Sequence, residues 1–196
     1  SGRNYCIIYA REVGFMARKF QIGVIGSAAD LGYAKGVEGA AYEVGKYIAE
    51  KGGILFFGAE KDGSSLSTVA CRGAKDAGGL TVGITYGKSK DILEKDTDII
   101  IPCGLERGGG RETVLISGCD AVIAISGGSG TLTELAIAYQ ADIPMVALEG
   151  YGGWADKLAG SYLDSRERQL IIKARSAKEA VDLAFRAAAE YREKNA

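Results

Sequence analysis

Short apolar runs alternate along this chain with longer segments of helical period, and that alternation leaves few folds open. The runs QIGVIG (21–26), GILFFG (53–58), LTVGIT (80–85), TDIIIP (97–102), DAVIAI (120–125), PMVAL (144–148) and QLIIKA (169–174) read as strands. Most lack polar alternation, as strands do when helices cover both of their faces. Amphipathic segments near 37–51, 65–77, 111–118, 131–140 and 177–194 read as those helices. The last opens SAKE, in which Ser176 as N-cap and Glu179 three residues on form a capping box. Such alternation implies βαβ units. The fold class expected is α/β: a doubly wound, mostly parallel sheet of about seven strands with helices on both faces.

With 196 residues and 47% apolar content, the chain is long enough to bury a substantial core in one domain. Residues 21–196 read as that domain. Residues 1–20 fit the alternation less well and read as an N-terminal extension, an extra edge strand with a linker. GLERGGG (104–110) is the one candidate linker within the domain, and there is no internal repeat. A net charge of −1 leaves no basic excess for a phosphodiester backbone, so nucleic acid is not expected as a partner. The apolar runs are far shorter than the roughly 20 residues that span a bilayer, and no stretch has a signal-peptide layout. A cytoplasmic protein without membrane contact is expected.

The side-chain inventory narrows the chemistry. Histidine is absent, which removes Ser-His-Asp triads, Cys-His pairs and HExxH zinc sites. Cys6, Cys71, Cys103 and Cys119 are scattered among apolar segments without metal-ligand spacing, and read as reduced thiols. No metal is expected, and acid–base work falls to carboxylates, lysine, tyrosine, cysteine or water.

In a doubly wound sheet, ligands sit beyond the carboxyl ends of the strands. SGGSGTLTELAIAY (126–139) falls there, with three glycines and two serines directly ahead of a helix. Glycine lets backbone N–H groups approach an anion, and the helix start adds unpaired donors and partial positive charge. Phosphate is the natural guest, with Gly127, Gly128, Ser129, Gly130 and Thr131 as its ligands. Gly26 and Ser27, ending the first strand, and Gly58, ending the second, complete the candidate nucleotide- and phosphate-binding set. The plainer alternative is that the glycines only make a tight strand-to-helix turn. Thr131 and Glu134 likewise read either as site residues or as a capping box worth ~1 kcal/mol. Arg111 opens its own predicted helix, where a cation is disfavoured by roughly 0.3–1 kcal/mol unless an anion holds it. That anion is a ligand, or else Glu112 in a surface ion pair.

The segment RETVLISGCDAVIAISGGSGTLTELAIAY (111–139) resembles the LOG (Lonely guy) and molybdenum-cofactor-carrier-like proteins, a Rossmann-like superfamily. Its signature is an arginine, a strand beginning near Asp-Ala, then P-G-G-x-G-T-x-x-E. Arg111 stands nine residues before Asp120, Gly127, Gly128, Gly130, Thr131 and Glu134 fall on the signature, and Ser126 replaces the proline. Weaker likeness runs from IGVIGSA to the C-terminal helix.

The resemblance implies a single Rossmann-like nucleotide-binding domain and a reaction. LOG enzymes are phosphoribohydrolases that cleave the N-glycosidic bond of a nucleoside 5′-monophosphate to base and ribose 5-phosphate. Arg111 and Glu134 match their catalytic pair. Glu134 would stabilise oxocarbenium character on the ribose and orient or deprotonate water, ionised by its place near a helix start. Arg111 would orient ribose and phosphate, while the GGSGT amides and the Thr131 hydroxyl hold the 5′-phosphate. No cofactor is required.

The chain also departs from the pattern. The family's second glycine loop is here GAEKDG (58–63), with Ala59 and Glu60 in place of glycines, and Glu60 and Asp62 repel an anion. Glu112 replaces a lysine, and a preceding Met-His is missing. These changes lead away from the cytokinin-activating subset. Two readings follow: a hydrolase of AMP-like nucleotides, or a non-catalytic carrier or sensor binding a nucleotide or a phosphorylated molybdopterin-type cofactor in the same cleft. Lysine decarboxylase, a label long attached to the superfamily, is set aside because no pyridoxal phosphate constellation appears. Relatives assemble as dimers or larger homo-oligomers, and the same is expected here. Tyr86, Tyr139, Tyr151 and Trp154 read either as base-stacking groups or as core, and GYGGWADKL (150–158) resembles the family's pocket-lining loop after the sixth strand.

Overall fold

The structure, a computed structural model, describes residues 18–28, 32–34, 36–106 and 110–195. Most of the expected N-terminal extension, and Cys6 with it, lies outside the described residues. Along the described chain the elements run β1 (Gln21–Gly26), α1 (Val37–Glu50), β2 (Ile54–Gly58), α2 (Leu66–Asp76), β3 (Leu80–Thr85), β4 (Ile99–Pro102), α3 (Gly110–Ser117), β5 (Ala121–Ile125), α4 (Ser129–Gln140), β6 (Met145–Leu148), α5 (Gly153–Leu158), β7 (Ile172–Ala174) and α6 (Ala177–Lys194). All seven strands pair in parallel, in the order β4-β3-β2-β1-β5-β6-β7. The chain starts in the middle, builds outward to β4, and then returns to place β5 against β1. That reversal makes a crevice at the carboxyl ends of β1 and β5, as in Rossmann-like folds.

Each strand feeds both layers, which is why the runs lack alternation. In β5, Ile123 and Ile125 join the core under α1, α2 and α6, while Val122 and Ala124 join the core under α3, α4 and α5. Phe57 and Phe56 divide in the same way in β2. Between α1 and α2 the packing is closer than side chains allow. A Cβ added at Gly45 would lie 1.8 Å from the Ala70 carbonyl oxygen, and one at Gly73 would lie 2.0 Å from that of Tyr42. The two helices meet backbone to backbone, each glycine seated on its neighbour.

The expected strands and helices are present, with three differences in detail. Helix α4 begins at Ser129, two residues before the expected start. β7 is confined to Ile172–Ala174, because Leu170 bridges antiparallel to Tyr162 instead. The short α5 lies inside what read as a loop. The capping box at α6 is half formed: Ser176 Oγ accepts from the Glu179 N–H at 3.2 Å, but the Glu179 carboxylate accepts from the N–H of Arg175 at 2.7 Å. The complete reciprocal box is at α2, between Ser65 and Thr68. Cys71, Cys103 and Cys119 are free thiols.

At the other end of the sheet, ahead of β1 and β5, Asp120 is buried among donors. It accepts from Arg18 at 2.8 and 3.1 Å, from Arg192 at 2.7 and 3.1 Å, and from the N–H of Gln21 at 2.8 Å. Burial alone would raise its pKa; the hydrogen bonds from Arg192, Arg18 and Gln21 outweigh it and hold the carboxyl below its ordinary value. Arg192 also donates to the carbonyls of Arg18 and Lys19 and covers the Phe20 ring at 4.0 Å. Phe20 in turn meets Phe185 edge-on at 5.6 Å. The clasp ties α6 to the strand that begins the sheet.

Candidate functional site

The glycine loop after β5 is held from two sides. Ser27, just past β1, accepts from the N–H of Gly127 at 2.8 Å and donates to Ser126 Oγ at 3.1 Å. From the other side the start of α5 supplies N–H groups: Trp154 donates to the Gly127 carbonyl at 2.9 Å and Ala155 to that of Ser126 at 2.8 Å. Gly153 comes so near that a Cβ there would lie 2.4 Å from the Ser126 carbonyl carbon. The chain turns through φ 55° at Ser126 and 102° at Gly127, which closes Gly127 over the Thr131 side chain. With the loop carbonyls tied back, α4 starts after Gly128 with no side-chain cap. The N–H groups of its first turn have no intrahelical partner. They open on a cavity of about 280 Å³.

Eight of the ten expected site residues line that cavity: Gly26, Gly58, Arg111, Gly128, Ser129, Gly130, Thr131 and Glu134. Gly127 and Ser27 do not; they shape the loop behind it. Ser27 spends its hydroxyl on Ser126 and Gly127, so its role is positioning. The capping-box alternative for Thr131 and Glu134 does not hold, because Gly128 occupies the N-cap position and Glu134 sits in the second turn.

Glu134 departs from the expected charge state. Its side chain is buried and accepts no hydrogen bond from the described residues. Burial pushes its pKa up to about 8, with the Glu112 charge adding to the rise and Arg111 opposing it. The helix dipole, which fades within the first turn, does not compensate. Burial thus biases Glu134 toward its protonated form.

Arg111 is held by the protein's own anions. NH1 lies 3.1 Å from Glu60 and NH2 lies 3.5 Å from Glu112. One face of the guanidinium rests on the Tyr86 ring, 4.0 Å from its centroid. The other face lies against Gly58, where a Cβ would come within 3.1 Å of it. Tyr86 is fixed by donating its hydroxyl to Glu112 at 2.6 Å. The Arg111 Nε is buried and has no hydrogen-bond partner among the described residues. Of the two anions weighed for Arg111, Glu112 takes part, in a buried pair rather than the surface pair expected.

Sequence reasoning missed Glu60 as a partner of Arg111, having read it as a repellent. It also missed Tyr86 as the platform beneath the guanidinium; an aromatic at the end of β3, a strand next to β2, was the available signal. Tyr139 is core, its hydroxyl donating to Asp164 at 2.6 Å. Tyr151 packs on the core and Trp154 lies outside the cavity.

The molybdenum cofactor carrier protein of Chlamydomonas reinhardtii is 31% identical, superimposes with a TM-score of 0.74, and is matched over 88% of this chain and 99% of that one. The molybdenum cofactor binding protein of Rippkaea orientalis is 29% identical with a TM-score of 0.72, over 86% of this chain and 96% of that one. An uncharacterized protein of Archaeoglobus fulgidus is 37% identical over 118 residues, 60% of this chain and 72% of the other. The family model for the SLOG cluster4 family matches residues 19–181, from the clasp below β1 into α6 and across the whole cavity. A match over that length makes the chain a member of the SLOG cluster4 family.

Proposed function

We propose that this chain binds a phosphorylated small molecule, either a nucleoside 5′-monophosphate or a phosphorylated pterin-type cofactor, and holds it at neutral pH without turning it over. One observation carries the reading: the uncapped first turn of α4 opens on a cavity whose wall holds the Arg111 guanidinium. Backbone donors and a guanidinium on one hollow suit a phosphoryl oxygen. Two relatives are described as binding or carrying molybdenum cofactor, which favours a carrier. The raised pKa of Glu134 favours it too, since a carboxyl biased toward its protonated form is a poor base for water and a poor partner for an oxocarbenium ion.

The second reading, phosphoribohydrolase, rests on Glu134 and Arg111 sharing the cavity. Under it, base release would climb as Glu134 ionises near pH 8. Titration calorimetry with AMP, GMP and ribose 5-phosphate, alongside chromatography for free base at pH 7 and 9, separates the two. Binding without base release is the expected result. Base release at pH 7 that vanishes in Glu134→Gln would replace the carrier with the hydrolase, and absence of binding by every phosphorylated probe would end both. Self-association of the chain belongs to the same proposal and is checked by light scattering.

A further inference from the structure

The cavity of Arg111 has a neighbour. A second hollow of about 270 Å³ lies toward the ends of β2 and β3, with Lys61, Thr85, Ser89 and Asp91 in its walls. Glu60 and Tyr86 line both hollows, so these two side chains form the wall between them. The Tyr86 side of that wall is fixed by the stacked guanidinium and the bond to Glu112. Glu60 belongs to the loop after β2, and its side chain is 32% exposed where that of Arg111 is 11% exposed. Of the two partners in that ion pair, it is the one that solvent reaches more.

Each hollow alone lies at the lower edge of the roughly 300–1,000 Å³ of small-molecule sites, and the two joined fall well inside it. A partly exposed ion pair is cheap to break in water, whereas a phosphoryl oxygen set on a guanidinium makes short charged bonds, often two at once. The buried Arg111 Nε, which has no acceptor among the described residues, can donate to such an oxygen.

We infer that Glu60 is a displaceable partition: an anionic oxygen of the ligand takes its place on Arg111, its carboxylate swings off the guanidinium, and the two hollows become one cleft for a phosphorylated ligand that carries a ring. The inference rests on the phosphate-binding reading above for the nature of the occupant. It gives Glu60 a specificity role. A ligand is accepted only when its anion outcompetes one that the chain already supplies.

Glu60→Gln keeps the shape and removes the charge. Two readouts apply to the whole chain. The first needs no ligand: the rate at which phenylglyoxal modifies Arg111, followed by peptide mass spectrometry, should rise roughly five-fold in the variant, in line with a weak ion pair removed. An unchanged rate overturns the partition. The second is calorimetry with ribose 5-phosphate and AMP, where the variant should bind both roughly five-fold more tightly at low salt. Equal or weaker binding by the variant also overturns it. If no phosphorylated probe binds either protein, the phosphate-binding reading falls, and the partition is decided by the Arg111 modification rate alone. Glu60→Ala, measured in parallel, should repeat both gains.

Discussion

Arg111 and Glu134 line one cavity without forming an ion pair. The guanidinium is engaged by Glu60 at 3.1 Å and by Glu112 at 3.5 Å, and Glu134 is left buried with no hydrogen bond from the described residues. A carboxyl in that position is cheaper to keep protonated than to ionise, and the consequences can be measured.

The first concerns stability against pH. Glu134 has its pKa raised from 4.5 to about 8. Between those values the unfolded chain releases a proton that the folded chain keeps, so stability falls as pH rises, by at most ~1.4 kcal/mol per pH unit, and levels off above about 8. Glu134→Gln removes the titrating group and that slope with it. Urea denaturation at pH 5, 6, 7 and 8 should show the variant gaining on the native chain at each step; parallel curves would refute the buried neutral carboxyl.

Ser27 should matter without touching a ligand. Ser27→Ala deletes the acceptor of the Gly127 N–H and the bond to Ser126. Leaving one buried N–H unsatisfied costs about 1–3 kcal/mol. We expect a lower Tm and weaker phosphate-ester binding, checked by calorimetry. Full affinity in a destabilised variant would mean that the loop is positioned by α5 alone.

Ser126 stands where the family signature carries proline, yet proline does not fit here. Its φ is 55°, and a proline ring fixes φ near −65°. Ser126→Pro should cost about 3 kcal/mol or more, while Ser126→Gly, free to adopt positive φ, should stay within about 1 kcal/mol of the native chain. Denaturant midpoints for the two variants provide the comparison, and a stabilising proline would contradict a positive φ at Ser126.

Gly73→Ala tests the helix contact. Its new methyl would meet the Tyr42 carbonyl at 2.0 Å, and neither partner is a flexible side-chain end. Overpacking of this kind costs about 3 kcal/mol, or roughly 10 °C in Tm for a chain of this size. Gly39→Ala, in α1 with nothing within 4 Å and no positive φ, is the control for added bulk and should cost no stability.

The sheet was legible because its strands are covered on both sides, and coverage writes itself into the sequence as unbroken runs such as AVIAI. The glycine loop was legible for a related reason: only a close backbone approach justifies so many glycines before a helix. What escaped is what the fold brings together from afar. Glu60 lies 51 residues from Arg111 along the chain, and only the adjacency of the β2 and α3 ends makes them partners. The charge on Glu134 depends on burial that no local pattern records. The early start of α4 was hidden because Ser129 and Gly130 are poor helix formers in isolation. The fold supports them by tying the carbonyls of Ser126 and Gly127 to α5. α5 itself is six residues long and preceded by glycines, too short for periodicity to declare it.

The Asp120 clasp has a practical reach beyond stability. Arg192 grips the carbonyls of Arg18 and Lys19, so the residues that lead into β1 lie beside the end of α6, at the opposite pole from Arg111 and Glu134. A tether attached at the end of α6 would set the molecule on a sensor surface with its mouth turned toward solution. Immobilised and dissolved protein should therefore report the same affinity.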